Sequence, residues 1–335
     1  MPTDDDRLLG ESPAFLRVLE EVSHVAPLEK PVLLVGERGT GKELIAARLH
    51  FLSNRWEGQF LKMNCAAISD SLLESELFGH EAGAFTGATK THHGRFERAH
   101  GGSLFLDELA TTSALVQEKL LRIIEYGEFE RVGGNRTLTC DVRLIAATNE
   151  DLPQLAAQGK FRHDLLDRLA FDVLTLPPLR ERDADIMLLA EHFAVNMCKE
   201  LGREFFAGFT PAAQAALHDY PWPGNVRELK NVVERCVYRS DPEAPVSDIV
   251  FDPFESPYRP AANDVDSSPS NQSMELPLDL KATVQELEVE IINKALHVSK
   301  HNQRRAAEML NLTYHQLRGY LRKYDLVNST TEKAS

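Results

Sequence analysis

A mostly parallel α/β sheet covered by helices on both faces, then a small helical lid, then an all-α module, is the fold this sequence predicts. Three observations predict it. Short apolar runs at Val32-Leu33-Leu34-Val35, Ser103 to Leu106 and Val142 to Ala147 each end at glycine or polar residues, as strands buried on both faces do. After Pro178 the apolar period becomes helical, over Ile186 to Leu201, Pro211 to Asp219 and Asn225 to Arg239. Charge is also unevenly placed. Residues 293–324 hold seven Lys/Arg against Glu308, a net +6, while the whole chain carries −14 and everything outside that stretch −20. A basic module on an acidic body points to nucleic acid at that end only.

With 335 residues, 43% of them apolar, there is room for one large core and one small domain. Cys65, Cys140, Cys198 and Cys236 are far apart and form no C-x-x-C pair, so they read as reduced, small core residues. Met1 to Gly10 is acidic and lacks the apolar stretch of a signal peptide, and no run of 18 apolar residues occurs. The expectation is a cytoplasmic protein without membrane insertion. Its parts are a short segment 1–10, an α/β subdomain 11–178, a helical lid 179–240, a linker 241–275 and a basic module 276–335. The linker has six prolines, no glycine and Arg259 as its sole base, a composition that cannot offset the entropy of ordering. Phe251, Phe254 and Tyr258 are the exceptions, expected to dock on the body.

Taken in order, the Val32–Val35 strand runs into Gly36-Glu37-Arg38-Gly39-Thr40-Gly41-Lys42-Glu43, and Glu43 to Phe51 reads as a helix. Glycines let that loop curl its N–H groups toward phosphates at the helix N-terminus, with Lys42 reaching the β- and γ-phosphates of ATP. Glu43 stands where Ser or Thr usually ligates magnesium. A carboxylate there repels phosphates unless it binds the Mg2+, directly or through water. Leu104-Phe105-Leu106-Asp107-Glu108 is a buried strand ending in two carboxylates. Asp107 is placed to hold magnesium through water and Glu108 to polarise the attacking water, the alternative being a helix N-cap pair. Between these two motifs lies Gly83-Ala84-Phe85-Thr86-Gly87-Ala88, small and flexible with one Phe. It makes a poor core segment and a poor catalytic one, and better sense as a moving finger.

This combination resembles the AAA+ activators of sigma-54 RNA polymerase, the bacterial enhancer-binding proteins, in which GAFTGA is the contact loop for the sigma factor. The resemblance implies a AAA+ P-loop ATPase whose Phe85 and Thr86 touch sigma, supported by a second loop near Glu130-Arg131-Val132-Gly133-Gly134-Asn135. It gives Asn64 the role of holding Glu108 away until a ring is engaged, and makes Thr148 and Asn149 the sensor I element beside the γ-phosphate. Arg227, in Trp222-Pro223-Gly224-Asn225-Val226-Arg227-Glu228-Leu229, becomes sensor II. Arg162 and Arg168, in an FRxDLxxRL pattern, become arginine fingers acting on a neighbouring subunit, with local pairing to Asp164 or Asp167 as the alternative. Fingers in trans imply a homo-oligomeric ring, expected as a hexamer. About ten residues precede the core, with no receiver or GAF domain, so a negative regulator acting in trans is expected. Trp56, in a polar loop, is either a docking residue for it or a buried anchor.

In the basic module, Gln285 to Val298 and Asn302 to Leu310 read as helices, Asn311 as a left-handed turn residue and Thr313 as the cap of a third helix. Ala306, Ala307, Leu310, Leu317 and Leu321 supply the inner face of a helix-turn-helix resembling the Fis type. Beyond the capping Thr313, Tyr314, His315, Gln316 and Arg318 would face base edges of enhancer DNA, and Arg304, Arg322 and Lys323 its phosphates. Gly319 in that third helix costs about 1 kcal/mol against Ala. The alternative is a dimerisation module without DNA contact. The expected function is ATP-driven opening of sigma-54 polymerase complexes from an enhancer. The competing reading is an ATP-regulated DNA-binding repressor, and an unfoldase or helicase loader would need no such loop beside such a tail.

Overall fold

A computed structural model describes residues 8–254, and, of the C-terminal module, residues 285, 288, 289, 291–296, 299 and 302–324. Ser12 opens the body by capping helix α1 (Pro13–Val25), its hydroxyl accepting from Phe15 N. The sheet is all parallel, in the order β2 (Phe60–Asn64), β3 (Ser103–Asp107), β6 (Arg143–Thr148), β1 (Val32–Val35), β7 (Val173–Thr175). Within β1, Leu33 points to one core and Val32 and Leu34 to the other; β3 and β6 alternate likewise, with Phe105 opposed to Leu104 and Leu106, and Ile145 and Ala147 to Leu144 and Ala146. That period of two is why these runs are apolar throughout: both faces are covered. Buried Arg143 fixes the start of β6 by donating to Ala26 O and Val25 O at the end of α1.

Helix α2 (Lys42–Phe51) follows β1, starting one residue before the expected Glu43. Next come α3 (Asp70–Phe78), α4 (Arg95–Arg98), α5 (Ala114–Tyr126), α6 (Leu152–Ala157) and α7 (His163–Leu169). The expected second loop is the tip of a hairpin, β4 (Glu128–Glu130) with β5 (Thr137–Thr139). The lid consists of α8 (Asp183–Glu200), α9 (Pro211–Asp219) and α10 (Asn225–Arg239). Leu229, Val232, Val233, Cys236 and Val237 line the buried stripe of α10, against fully buried Trp222.

Of the stretch that composition assigns to a linker, Val246, Ile249 and Phe251 pack on this lid instead. Val246 is buried and bridges Phe209, and Phe251 stacks on Tyr220 with ring centroids 4.1 Å apart. Composition misjudges the segment because a few apolar side chains suffice to seat it. Phe254 is exposed, contrary to expectation, and Tyr258 lies outside the described residues. Of the helix expected over Gln285 to Val298, residues 291–296 are helical and the remainder is described only in part. Two further helices, Gln303–Met309 and Tyr314–Lys323, close a separate core of Ile292, Ala295, Ala306, Ala307, Leu317 and Leu321. Asn311 between them has φ 57°, and Thr313 caps the second through Gln316 N. Gly319 lies within that unbroken helix. Among the described residues no helix is long and apolar enough to cross a membrane.

Candidate functional site

A cleft of about 390 Å³ lies between the sheet's C-terminal edge and the lid, where ligands bind in open α/β sheets. Its polar half is the loop that β1 delivers. Gly36 N donates to Thr148 O, and Gly39 and Gly41 take φ 78° and 96°, so that α2 begins with its first N–H groups facing the cleft. No N–H from Arg38 to Glu43 has a backbone acceptor among the described residues, leaving a row of donors for an anion. Lys42 is buried and its ammonium donates to Gly36 O at 2.8 Å and Glu37 O at 3.1 Å. Burial lowers the Lys42 pKa, and the nearby Asp107 and Glu108 charges pull it back up. Thr40 closes the loop through its hydroxyl, which donates to Glu37 O.

Opposite, β3 ends at Asp107, whose Oδ1 accepts from Glu108 N at 3.0 Å. Glu108 holds φ 54°, a conformation that costs a non-glycine residue of order 1–3 kcal/mol and collects at functional sites. Its charged neighbour is Arg38, at 3.7 Å. Asn64 pairs with Asp107 in strand register, but its side-chain oxygen accepts from Ala66 N, so in this state Asn64 restrains its own turn. Thr148 is fully buried, its hydroxyl accepting from Glu150 N, and beside it Asn149 Oδ1 is a buried acceptor without a partner among the described residues. Glu43 lines the cleft, yet its carboxylate is paired with Lys62 at 2.8 Å. Glu37 turns away from the cleft toward Arg180 and Asn225. Arg227 lines the cleft from the lid.

These residues suit a nucleoside triphosphate with magnesium. Unused N–H groups and Lys42 would meet the phosphates, and Asn149 Oδ1 would offer an acceptor to a water. Among the described residues no three His, Cys, Asp or Glu side chains form a metal cluster. Magnesium needs none, since one or two carboxylates with phosphate oxygens and waters suffice, and Asp107 and Glu43 are the carboxylates that would hold it. The apolar half of the cleft, missed from sequence, includes Leu8, Leu9, Phe15 and Phe193. Only the fold brings these distant positions together.

Arg162 and Arg168 do not line their own chain's cleft. Arg162 grips Asp164 with bonds of 3.0 and 2.7 Å, and Arg168 pairs with Glu125 on α5 rather than with Asp167. Buried Gln117 fixes the start of α7, its side-chain oxygen accepting from Arg162 N, a role no local pattern announces.

The finger is a tight loop. Gly83 and Gly87 take φ 87° and 105°, and Gly83 N donates to Ala88 O at 2.7 Å. Ala88 is buried, whereas Phe85 and Thr86 are exposed, Phe85 with its ring edge-on to His80 at 4.9 Å. Its base is bolted to the β4–β5 loop: Glu81 N donates to Val132 O, and Arg131 forks onto Glu81 (2.7 Å) and both oxygens of Glu97 (2.9 and 2.6 Å). Burial pushes the Glu97 carboxyl up, but the Arg131 fork and His93 outweigh it and bring it down to about 2. A Cβ on Gly133, at φ 73°, would come within 2.6 Å of Ala84, so only glycine lets the loops meet there. Trp56 is 57% exposed, which removes the buried-anchor reading; the buried tryptophan is Trp222.

In the C-terminal module His315, Arg318 and Arg322 are exposed, and Arg304 sits 6.0 Å from the Tyr314 ring. Gln316 is exposed too, and its oxygen accepts from Thr313 N and Oγ1 in a capping box. Lys323 is drawn toward Glu288 and Tyr324.

The family described as Sigma-54 interaction domain matches residues 8–175, AAA+ ATPase lid domain matches 180–253, and Bacterial regulatory protein, Fis family, matches 283–324. The Psp operon transcriptional activator of Escherichia coli (strain K12) is 60% identical over 322 residues, 96% of this chain and 98% of that protein. Regulatory protein AtoC of the same organism is 42% identical over 323 residues, 95% of this chain and 68% of that one. Among solved structures, NtrX from Brucella abortus in complex with ADP matches with TM-score 0.68 and 32% identity, covering 96% of this chain and 70% of that chain.

Proposed function

The chain belongs to the sigma-54-dependent transcriptional activators that carry a AAA+ ATPase and a Fis-type DNA-binding module, and we propose that ATP hydrolysis in its body drives the Gly83–Ala88 loop against the sigma factor. The observation that carries this is the finger itself. Phe85 and Thr86 are exposed at its tip, while Arg131 ties its base into the subdomain that holds Lys42, Asp107 and Glu108. A braced base passes a displacement on to the tip instead of absorbing it.

On this reading the N–H row of residues 38–43 cradles the phosphates, and Lys42 trades its two loop carbonyls for the β- and γ-phosphates. Asp107 and Glu43 hold Mg2+, which neutralises charge on those phosphates. Glu108 leaves Arg38 and orients the attacking water, while Arg227 from the cleft wall, and Thr148 and Asn149 at the end of β6, report on the γ-phosphate. Arg162 or Arg168 of a neighbouring copy steadies the charge on the transferring group, worth roughly 10³–10⁵ in rate. That makes the working form a ring, proposed as a hexamer, tethered to enhancer DNA in the cytoplasm. A partner that restrains the ATPase would find exposed Trp56 a ready contact.

ATPase activity measured against protein concentration, with and without sigma-54 holoenzyme on its promoter, tests the proposal. The expected result is specific activity that rises steeply with concentration, accompanied by ATP-dependent promoter opening. Turnover without opening would assign the motor to another client, and absence of turnover would favour the repressor reading.

A further inference from the structure

Asn225, the first residue of α10, stands where three parts of the body meet, and its side chain is completely buried. Its amide nitrogen donates to Glu37 Oε2 and to Arg38 O, each at 3.0 Å, and its oxygen accepts from Leu179 N at 2.7 Å. Both donors are used, so the amide is satisfied only while phosphate loop, subdomain junction and lid keep this arrangement. Arg180, beside the junction residue, closes the far side of Glu37 with bonds of 3.0 and 2.6 Å. The Arg180 guanidinium first, and Asn225 second, hold the Glu37 carboxyl below its ordinary range.

The backbone points the same way. Asn225 takes φ 52° and Trp222 φ 51°, left-handed conformations that persist in non-glycine residues where the surroundings over-determine them. Gly39 of the phosphate loop lies so close to the Gly224 carbonyl that no Cβ fits between them.

We propose that Asn225, with Glu37 and Arg180, forms a clasp that positions Arg227, so that the loop holding the phosphates and the helix carrying the sensing arginine keep a fixed relation. Arg227 lies two residues beyond Asn225 in the first turn of the same helix, so anchoring the helix start fixes where the guanidinium can reach. Without the clasp, an arginine on a lid that rocks about the 179–182 junction must be ordered by the nucleotide itself, which weakens binding. The three are positioning residues, since their side chains face one another and not the phosphates. The inference rests on reading the cleft as an ATP site.

The test is the affinity of the full-length chain for ATP and for ADP, in the unmodified protein, in Asn225→Ala and in Arg180→Ala, each with and without Arg227→Ala. Removing Asn225 is expected to weaken ATP binding about tenfold and ADP less, because buried partners lose their bonds. Removing Arg180, a half-exposed ion pair, is expected to cost about two- to threefold. In the Arg227→Ala background both losses should shrink to less than about twofold, since a group that acts through another has nothing left to position. Losses of equal size in the two backgrounds would overturn the clasp, as would an unchanged ATP-to-ADP preference in folded variants. Should Asn225→Ala fail to fold, Arg180→Ala decides by the same criterion, because it leaves nothing buried behind. An unmodified chain that binds no ATP would refute the ATP-site reading itself, a result distinct from binding that the variants leave untouched.

Discussion

On the proposed reading, Glu108 is the residue on which hydrolysis depends most. It sits at φ 54° after a buried strand, with its backbone N–H tied to Asp107 and its side chain turned to Arg38. Glu108→Gln keeps the shape and removes the carboxylate proposed to orient the attacking water. The expected outcome is ATP binding within a few-fold of the unmodified protein and turnover lowered about 10²- to 10⁴-fold, read by nucleotide binding and phosphate release. Its neighbour Cys65 behaves oppositely. Burial first, then the charges of Asp107 and Glu108, push this thiol up to about 12. Since the thiolate is the nucleophile, a native chain treated with iodoacetamide at about pH 8 should leave Cys65 unlabelled, as mass spectrometry of its peptide would show.

Among the elements, the braced finger has the sharpest consequences. Arg131 joins the β4–β5 loop to Glu81 at the finger base and to Glu97 on α4. Arg131→Ala is expected to leave basal ATPase within a few-fold, raise hydrogen exchange across residues 81–88, and abolish promoter opening. Retained opening with loosened exchange would separate bracing from transmission. The pH dependence has a definite sign. Glu97 titrates near 2, below its unfolded value of about 4.3, so its contribution is fully present above that value and lost as pH falls from there toward 2. Exchange across the loop should therefore show no step from this group between about pH 8 and 5, and a rise below about pH 4.

At the scale of the whole molecule, the chain divides into units before and after residue 255, each with its own hydrophobic core. A chain ending at residue 254 is expected to keep concentration-dependent ATPase activity and lose binding to enhancer DNA, measured by gel shift. Loss of both would mean the tail also builds the ring. The charge split supports the division, because residues 293–324 are basic while the rest of the chain is strongly acidic. Much of this organisation was legible in the sequence. Sheet strands, lid helices, the turn at Asn311 and the cap at Thr313 are written in short-range patterns of apolar period, glycine and capping residues. The linker boundary was not, since Val246 and Phe251 depend on partners at Phe209 and Tyr220 that composition does not weigh.

The sequence by itself determined the contiguous devices: the phosphate loop from Gly36 to Lys42, the finger from Gly83 to Ala88, and the paired carboxylates at 107 and 108. In each, spacing along the chain is the spacing in space, so a local pattern suffices. Tertiary structure alone decided which distant groups meet. It set Glu37 against Asn225 across 188 positions, Arg168 against Glu125, Glu43 against Lys62 and Arg131 against Glu97, and it exposed Trp56 while burying Trp222. Hydrogen bonds and ion pairs are short-ranged, and which charges come within reach is set by how helices and strands pack.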